Sequence, residues 1–470
     1  MPLQQPNSPV HTIPCEITAE IFVHCLPTSY GWEWNIASQR EAPMLLSHVC
    51  RDWREIALCM PALWTNMEFS VDNTHSHEIV RVYLLRTKGW PLSVKLRWPY
   101  RKLFGEDTWS LPVLQALLER AHHLEFLELR NVPFDCIREL DQLSESSNFP
   151  SLQKLTIDID QDVLEWDSME DMPCVRLFAN APVLREIYLI DYTPPAFLGS
   201  LPWHQLTKYE GSGVYLDHCA DAMRLGSNLI ECGLLADKVV QNHGLTLIHP
   251  GLKSLSLYED LSAPCNSTDI LRFLSLPALE TLQILNAFYE SFSDPEFLAF
   301  LTRSSPPLRK FTAEVNRLMD DDEDAVNVIG VDVSAFFSMP SLIELEMWHT
   351  HEKFISPFFS HCNNVTFLPQ IQHLSFFHPR YLSCDAQHDS PDHVRDLSRR
   401  AARRVLNIVQ AGLSARWNAR HHGVASLKSF RLLWDGDIGD LPDDVLVPFR
   451  TMASEGLNIS IKSSTRSYIL

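Results

Sequence analysis

Histidines, carboxylates and arginines form the close groups in this sequence that could do chemistry. Three histidine pairs stand out: His75/His77, His122/His123 and His421/His422. A protein zinc site needs further histidine, cysteine or carboxylate ligands at suitable spacing, and none of the pairs has them. The acidic run MDDDEDA (319–325) lacks the alternation and the glycine of a calcium-binding loop. We therefore expect no metal site, and we expect the acidic run to form a solvated loop.

A group of arginines recurs at spacings of three and four residues and therefore lies on one face of a predicted helix. Its members are Arg395, Arg399, Arg400, Arg403 and Arg404. Two interpretations stay open at this point. Either the face is exposed to solvent, or it meets an acidic partner or a phosphate.

Motifs of catalysis and nucleotide binding are missing from the sequence. It contains no GxSxG, GxxxxGK[ST], HExxH or GxGxxG pattern. Such patterns supply a nucleophile, a phosphate cradle, a metal-bound water or a dinucleotide site. The 11 cysteines include no CxxC pair, which is typical of reduced and mostly buried thiols in an intracellular protein. We expect a protein that is not an enzyme and that needs no cofactor.

The composition is that of a folded protein. Of the 470 residues, 45% are hydrophobic and 21% are charged, and no run approaches the roughly 18 apolar residues of a membrane span. Residues 1–11 are predicted to be a disordered tail, and the N-terminal sequence lacks the basic and apolar blocks of a secretory signal. The net charge of −20 argues against binding to nucleic acid or to an anionic membrane. The predicted location is the cytoplasm, the nucleus or both.

One short phrase recurs along most of the chain: an apolar residue, two variable residues, then two apolar residues around a single variable one. Clear copies are LEFLEL (124–129), LQKLTI (152–157), LREIYL (184–189), LKSLSL (252–257), LETLQI (279–284), LIELEM (342–347), IQHLSF (371–376) and LKSFRL (427–432). Degenerate copies are LTKYEG (206–211), LIECGL (229–234) and LRKFTA (308–313), and PLSVKLRW (91–98) is the predicted first strand. Each phrase ends in the alternation of a β-strand. Helical patterns lie between the phrases, at 112–121, 215–225, 267–276, 294–304 and 392–417.

These units resemble leucine-rich repeats, over roughly residues 90–470. The predicted fold class is α/β: a small helical module followed by an irregular leucine-rich-repeat horseshoe. In that architecture a parallel sheet lines the concave face and helices lie outside it. We assign residues 70–470 to the repeat domain.

Variable strand residues of such an array face the concave surface. Six of them are predicted to contact a target protein: Tyr188, Tyr258, Glu346, Trp348, Phe377 and Arg431. Aromatic residues among mixed charges are typical of protein-binding surfaces. Tyrosine and tryptophan are also common in strands for structural reasons, so both interpretations stay open for any single residue.

A helical segment of a different kind precedes the repeats. IPCEITAEIFVHCL (13–26) predicts one helix, with Ile13, Ile17, Ile21, Phe22 and Leu26 on one apolar face. APMLLSHVCRDWREIAL (42–58) predicts a second helix, which ends before Pro61. This helix has more apolar positions than one core-facing stripe needs.

The order IPxEIxxEIFxxCLP, LLSxVCRDWREIA and PxLW over residues 12–64 resembles the F-box, in the form common in mushroom-forming fungi. Ile13 stands where leucine is usual, and the interval between the helices is longer than in compact versions. The resemblance implies a module at 12–69 that binds the Skp-type adaptor of a cullin–RING ubiquitin ligase. The implied adaptor-binding residues are Ile13, Pro14, Ile17, Ile21, Leu45, Val49, Cys50 and Trp53. For each of these, packing inside the module is an open alternative.

The two resemblances together imply a substrate-recognition subunit of a Skp/cullin/F-box ligase. The module would hold the adaptor, the repeats would hold an unknown target protein, and proximity would bring the target's lysine to the loaded enzyme. Two alternatives remain: a scaffold that binds the adaptor but acts outside ubiquitin ligation, and an enzyme with a solenoid body.

Overall fold

A computed structural model of the chain shows a mixed α/β protein with two compact units, Met1–Val214 and Tyr215–Leu470. It describes residues 13–27, 40–71, 75–98, 110–143, 148–160, 174–190, 199–238, 246–259, 267–287, 294–315, 332–350, 352–378, 391–419, 424–435 and 438–469. None of the helices in these ranges is long and apolar enough to cross a membrane. The predicted tail (1–11) and the acidic run (319–325) lie outside the described residues.

The first unit alternates helices and strands after an all-helical start. Its helices are α1 (Cys15–His24), α2 (Met44–Val49), α3 (Arg51–Cys59), α4 (Ser76–Arg86), α5 (Ser110–Leu118) and α6 (Phe134–Leu143). Its strands are β1 (Asn66–Ser70), β2 (Leu92–Arg97), β3 (Leu124–Val132), β4 (Lys154–Ile159), β5 (Glu186–Ile190) and β6 (Lys208–Tyr215). Neighbouring strands pair in sequence order, and all of these pairs are parallel.

The second unit repeats this alternation. Its helices are α7 (Leu216–Leu225), α8 (Pro295–Ser304), α9 (Glu352–Ser360), α10 (Pro391–Ala419) and α11 (Asp443–Ser454). Its strands are β7 (Glu231–Lys238), β8 (Leu247–Ile248), β9 (Ser254–Tyr258), β10 (Leu274–Ser275), β11 (Thr281–Ala287), β12 (Lys310–Val315), β13 (Glu344–Trp348), β14 (His373–His378), β15 (Ser429–Trp434), β16 (Asn458–Ser463) and β17 (Ser467–Ile469).

The sheet of the second unit is also mostly parallel. Parallel pairs run in the order β7, β9, β11, β12, β13, β14, β15 and β16. β17 pairs with β16 antiparallel, and the short β8 and β10 form a separate parallel pair. The prediction of an α/β protein with a parallel sheet is confirmed.

All eleven recurring phrases form strands. In ten of them the strand begins at the third residue of the phrase, and only β3 begins at the first. The strand alternation places the apolar residues of the phrase in the core. Leu255 and Leu257 of β9 are fully buried, for example, whereas the alternating residues Ser254 and Ser256 are only half-buried.

The second residue of each phrase holds successive phrases in register. Its backbone N–H donates to the carbonyl oxygen of the equivalent residue one phrase earlier. In the second unit these bonds run from Glu280 to Lys253 (2.8 Å), from Arg309 to Glu280 (2.8 Å), from Ile343 to Arg309 (2.8 Å) and from Gln372 to Ile343 (2.9 Å). Because the bonds use backbone groups only, the side chain at this position is free to vary.

Two further strands continue the same pattern and were not predicted. The N–H of Ser93 donates to the Thr65 carbonyl oxygen (2.9 Å), which places 64–69 one phrase before β2. Asn458 is the register partner of Ser429, the third residue of its phrase, which places 456–461 one phrase after β15. These copies begin with tryptophan and with Gly456, where the others have leucine or isoleucine.

Two helix predictions are wrong. The predicted helix at 267–276 is a 3₁₀ helix (Ser267–Phe273) followed by β10. The predicted helix at 42–58 is divided into α2 and α3 at Cys50, whose backbone is extended (φ −153°, ψ 175°). The Cys50 Sγ accepts a hydrogen bond from the Trp53 N–H (3.4 Å), so a thiol occupies the N-cap of α3. The helices predicted at 215–225, 294–304 and 392–417 are present as α7, α8 and α10.

Candidate binding surfaces

The three N-terminal helices form a small module around an aromatic pair. The ring centroids of Phe22 in α1 and Trp53 in α3 are 5.0 Å apart, with their planes at 62°. Phe22 is fully buried, and Trp53 is half-buried. The Arg54 guanidinium donates from Nε to the Ser47 carbonyl oxygen (2.7 Å), which joins α3 to the end of α2. Trp53 therefore helps to form the module's own core.

Trp64 links this module to the first repeat-like unit. Its side chain is fully buried, and its Nε1–H donates to the Ala57 carbonyl oxygen of α3 (2.8 Å). On the other side, the Tyr83 ring lies 4.8 Å from the Trp64 ring and the Arg86 guanidinium lies 4.1 Å from it. Burial raises the pKa of Tyr83 and lowers that of Arg86. The predicted domain boundary between residues 69 and 70 falls within β1 (Asn66–Ser70).

Five aliphatic side chains of the module are left in contact with solvent. Ile13, Ile17 and Ile21 are 38%, 54% and 45% exposed, and Leu45 and Val49 are 43% and 54% exposed. Ile17 and Ile21 lie four residues apart on α1, and Ile13 lies four residues before Ile17, just ahead of the helix. Leu45 and Val49 have the same spacing on α2. We call these five residues the aliphatic face of the module.

The other residues implied by the F-box resemblance differ in burial. Pro14 is exposed, and Cys50 is half-buried, as is Trp53. The apolar residues of α1 do not share one environment, because Phe22 is buried while Ile21 beside it is exposed. Leu45 and Leu46, which are adjacent on α2, differ in the same way: Leu46 is buried and Leu45 is exposed. Each helix thus has an apolar side toward the core and an apolar side toward solvent.

Tyr188 is the predicted target-binding residue of the first unit. The Lys154 and Lys208 ammonium nitrogens lie 4.2 and 5.7 Å from its ring centroid. Its hydroxyl donates to the Glu186 carboxylate (3.3 Å). The two lysines are each 3.5 Å from a carboxylate, Lys154 from Glu186 and Lys208 from Glu210. The side chains around Tyr188 are therefore already paired with one another.

The second unit brings two of its predicted residues into direct contact. Trp348 of β13 and Phe377 of β14 are register partners, and their rings stack at 3.6 Å with an interplanar angle of 1°. Glu346 lies two residues before Trp348 on the same strand, and its carboxylate is 3.9 Å from the Lys310 ammonium. Arg431 is exposed on β15. Tyr258 is exposed at the end of β9, on the same side of the sheet.

Comparison of the chain with models of known protein families and with curated proteins finds no match.

The arginine face of α10 is joined to neighbouring helices. Arg403 forms an ion pair with Asp444 of α11 (3.0 Å), and Arg404 forms one with Glu352 of α9 (3.2 Å). The side chain of Arg395 lies outside the described residues. The sequence left open a solvated face or an acidic partner, and the structure adds carboxylates of this same unit as partners. Exposed pairs of this kind contribute about 0.2–1 kcal/mol each.

Arg416 and Cys362 are two titratable groups that lie in the protein interior. A cavity of about 10 Å³ lies beside Arg416 and Cys362, which is room for one water molecule. Arg416 donates to the carbonyl oxygens of Phe367, Leu368 and Pro369 (2.7–3.2 Å). Burial raises the pKa of the Cys362 thiol to about 12. A thiol that stays protonated at neutral pH is a poor nucleophile.

The three histidine pairs of the sequence contain closely spaced candidate metal ligands. The rings of His122 and His123 lie 4.0 Å apart, and partial burial lowers the pKa of His123. No group of three histidine, cysteine or carboxylate side chains that could hold a metal ion occurs within the described ranges. His421 and His422 fall outside those ranges.

Two residues of the second unit's open sheet face were missed from the sequence. Leu433 of β15 is the register neighbour of Phe377, and Lys462 of β16 is the register neighbour of Leu433. Leu433 could have been found by continuing the alternation of β15 by one more step. Lys462 could not, because the copy that contains it begins with Gly456 instead of leucine.

Proposed function

We propose that this chain is a substrate-recognition subunit of a Skp/cullin/F-box-type ubiquitin ligase. The N-terminal module would be an F-box that binds a Skp-type adaptor, and the strand-and-helix array would be an irregular leucine-rich repeat that binds a target protein. The observation that carries the proposal is the aliphatic face of the module. Solvent-exposed apolar side chains at regular helical spacing, as on α1 and α2, commonly mark a partner's binding site.

The aliphatic face is large enough to contribute substantially to an interface. Fully burying one aliphatic side chain stabilises by about 1.5–3 kcal/mol, so covering five that are about half exposed contributes on the order of 5 kcal/mol. Association costs part of this in lost translational and rotational freedom. The remaining affinity must come from the polar rim, where α1 carries Glu16, Glu20 and His24.

The proposed mechanism is proximity, and no side chain of this chain takes part in the chemistry. The adaptor would tether the module to the ligase, and the array would hold the target beside the loaded ubiquitin-conjugating enzyme. Tethering raises the effective concentration of the target's lysine to the millimolar range for short linkages.

Adaptor binding is tested by co-purification of the full chain with a recombinant Skp-type adaptor. We expect the parent chain to retain the adaptor, and we expect Ile17→Asp and Val49→Asp to lose it. The matched control is Val447→Asp on α11, since Val447 is 52% exposed and Val49 is 54% exposed. Retention by both module variants, or no retention by the parent chain, overturns the proposal.

Binding of a cullin to the adaptor complex distinguishes a ligase subunit from a scaffold that acts outside ubiquitin ligation. The adaptor-bound chain is mixed with a cullin, and we expect a ternary complex to elute together in size-exclusion chromatography. An adaptor complex that excludes the cullin supports the scaffold alternative instead.

A further inference from the structure

The open face of the second unit's sheet has an apolar row near the carboxyl ends of its strands. The row consists of Tyr258 and Leu285 on β9 and β11 and of Trp348, Phe377 and Leu433 on β13, β14 and β15, with Glu314 of β12 between the two parts as the register partner of Trp348. Tyr258 is exposed, and the other four are half-buried. The stack of Trp348 on Phe377 makes the centre of the row a rigid aromatic surface. Rigid aromatic groups are the usual anchors of protein interfaces.

Carboxylates on this face already have cationic partners. The Lys310 ammonium is 2.8 Å from the Glu344 carboxylate and 3.9 Å from the Glu346 carboxylate. His349 directly follows β13, and its Nε2 is 3.3 Å from the carboxylate of Glu314 on β12. The carboxylates of β12 and β13 named here therefore already pair with side chains of this protein.

Two cations on the same face have no such partner. Among the described residues, the Arg431 guanidinium of β15 and the Lys462 ammonium of β16 form no ion pair or hydrogen bond. Leu433 lies between them: it is two residues after Arg431 and the register partner of Lys462. The apolar row therefore ends beside two unpaired positive charges.

The spacing of these cations matches an extended acidic segment. Adjacent strands are about 4.8 Å apart and two residues advance by about 6.6 Å, so the Cα atoms of Arg431 and Lys462 lie about 8 Å apart. Side chains on the same side of an extended peptide recur about every 6.6 Å. Two separate carboxylates fit this spacing, whereas one phosphate group needs donors that converge on a single point.

We propose that this face binds an acidic, extended segment of a target protein that carries an aromatic or leucine side chain. The apolar side chain packs against Trp348, Phe377 and Leu433, and aspartate or glutamate carboxylates pair with Arg431 and Lys462. This inference rests on the proposed function only in that the bound protein is the ligase target. The chain's net charge of −20 opposes an acidic ligand, so binding depends on these two local cations.

The test is selection of random 12-residue peptides on the immobilised full chain, followed by affinity measurement with the selected peptides. We expect the selected peptides to be acidic and to contain an aromatic residue or leucine. Arg431→Glu and Trp348→Ala should each weaken their binding at least tenfold, and the affinity should fall as salt is raised. The control Arg309→Glu reverses an exposed charge on the residue before β12 and should change the affinity less than twofold.

Several outcomes overturn the inference. They are selection of neutral or basic peptides, selection of no peptide, and selected peptides whose affinity is unchanged in Arg431→Glu. Tighter binding of phosphoserine versions than of aspartate versions also overturns it, because phosphate would then be the recognised group. Arg431→Glu should still co-purify with the Skp-type adaptor. A parent chain that binds the adaptor but selects no acidic peptide thus contradicts this inference alone, and a parent chain that binds the acidic peptides but not the adaptor contradicts the proposed function alone.

Discussion

At the scale of single residues, burial separates apolar side chains that the sequence cannot tell apart. The excess of apolar positions in the module was visible in the sequence, but which side faces the core was not. Leu45 and Leu46 are identical in type and adjacent, yet only Leu46 is buried. One residue turns the side chain by about 100° around a helix, and a helix with two apolar sides gives no signal for choosing between them.

Trp64 is the residue whose loss should destabilise the first unit most clearly. Trp64→Ala removes a fully buried ring and the hydrogen bond to the Ala57 carbonyl oxygen, so we expect a loss of about 3–5 kcal/mol in unfolding free energy. Trp90→Ala is the matched control, because Trp90 is 51% exposed and should change stability by less than about 0.5 kcal/mol. Urea denaturation followed by circular dichroism measures both. Equal effects of the two variants contradict this account of Trp64.

Glu68 should make the protein less stable as the pH rises. Burial raises the pKa of its carboxyl group above 4.5, by more than the nearby Lys95 and Arg97 lower it. The folded state therefore holds this proton more tightly than the unfolded state, and stability falls as pH rises above 4.5 through the folded pKa. We expect Glu68→Gln to be more stable than the parent at pH 7, with a difference that shrinks toward pH 4.5.

The comparison for Glu68 is thermal unfolding of the parent and the variant across this pH range. The control is Glu139→Gln, which changes an exposed carboxyl group on α6 of the same unit. A stability difference that grows as the pH falls contradicts the prediction.

At the scale of elements, strands were predictable because alternation is local and repeated. Eleven phrases gave eleven strands, whereas the copies at Trp64 and Gly456 were missed because their first residue is atypical. The break between α2 and α3 was missed for another reason. Cys50 is not a helix breaker by type, and its extended backbone is stabilised by a thiol cap that the sequence pattern does not reveal.

Strand alternation predicts opposite responses at two adjacent positions of β13. Leu345 is fully buried, and Leu345→Ala should cost about 2–5 kcal/mol in unfolding free energy. Glu346 is half-buried on the open face, and Glu346→Ala should cost less than about 1 kcal/mol. Urea denaturation of both variants measures the difference. A one-residue error in the register of β13 would reverse the order.

The start of α8 depends on the side chain of Asp294. Its carboxylate accepts a hydrogen bond from the Glu296 N–H (2.9 Å), and Pro295 occupies the first helical position. Asp294→Ala should destabilise the second unit by about 1 kcal/mol, because the cap is lost. Asp294→Asn keeps an accepting oxygen and should retain most of the stability. Comparable losses in both variants, measured by thermal unfolding, indicate that the charge matters more than the cap.

At the scale of the whole molecule, the sequence predicted the kind of fold better than the chemistry of its surfaces. Repeated spacing gave the α/β class, because every copy reports the same local geometry. Arg431 was predicted to contact a target, but Lys462 was not, and the lack of an ion-pair partner for either cation among the described residues was not predictable, since pairing depends on which side chains neighbouring strands bring together. The identity of an adaptor or of a target protein is a property of the partner as much as of this chain.

The central claim is that the aliphatic face of α1 and α2 binds a Skp-type adaptor. Hydrogen–deuterium exchange of the full chain, with and without the adaptor, tests it most directly because it reports where protection occurs. We expect slower exchange in Cys15–His24 and Met44–Val49 when the adaptor is bound, and unchanged exchange in α11. Adaptor binding that leaves α1 and α2 unprotected, or that protects only residues of the second unit, contradicts the claim.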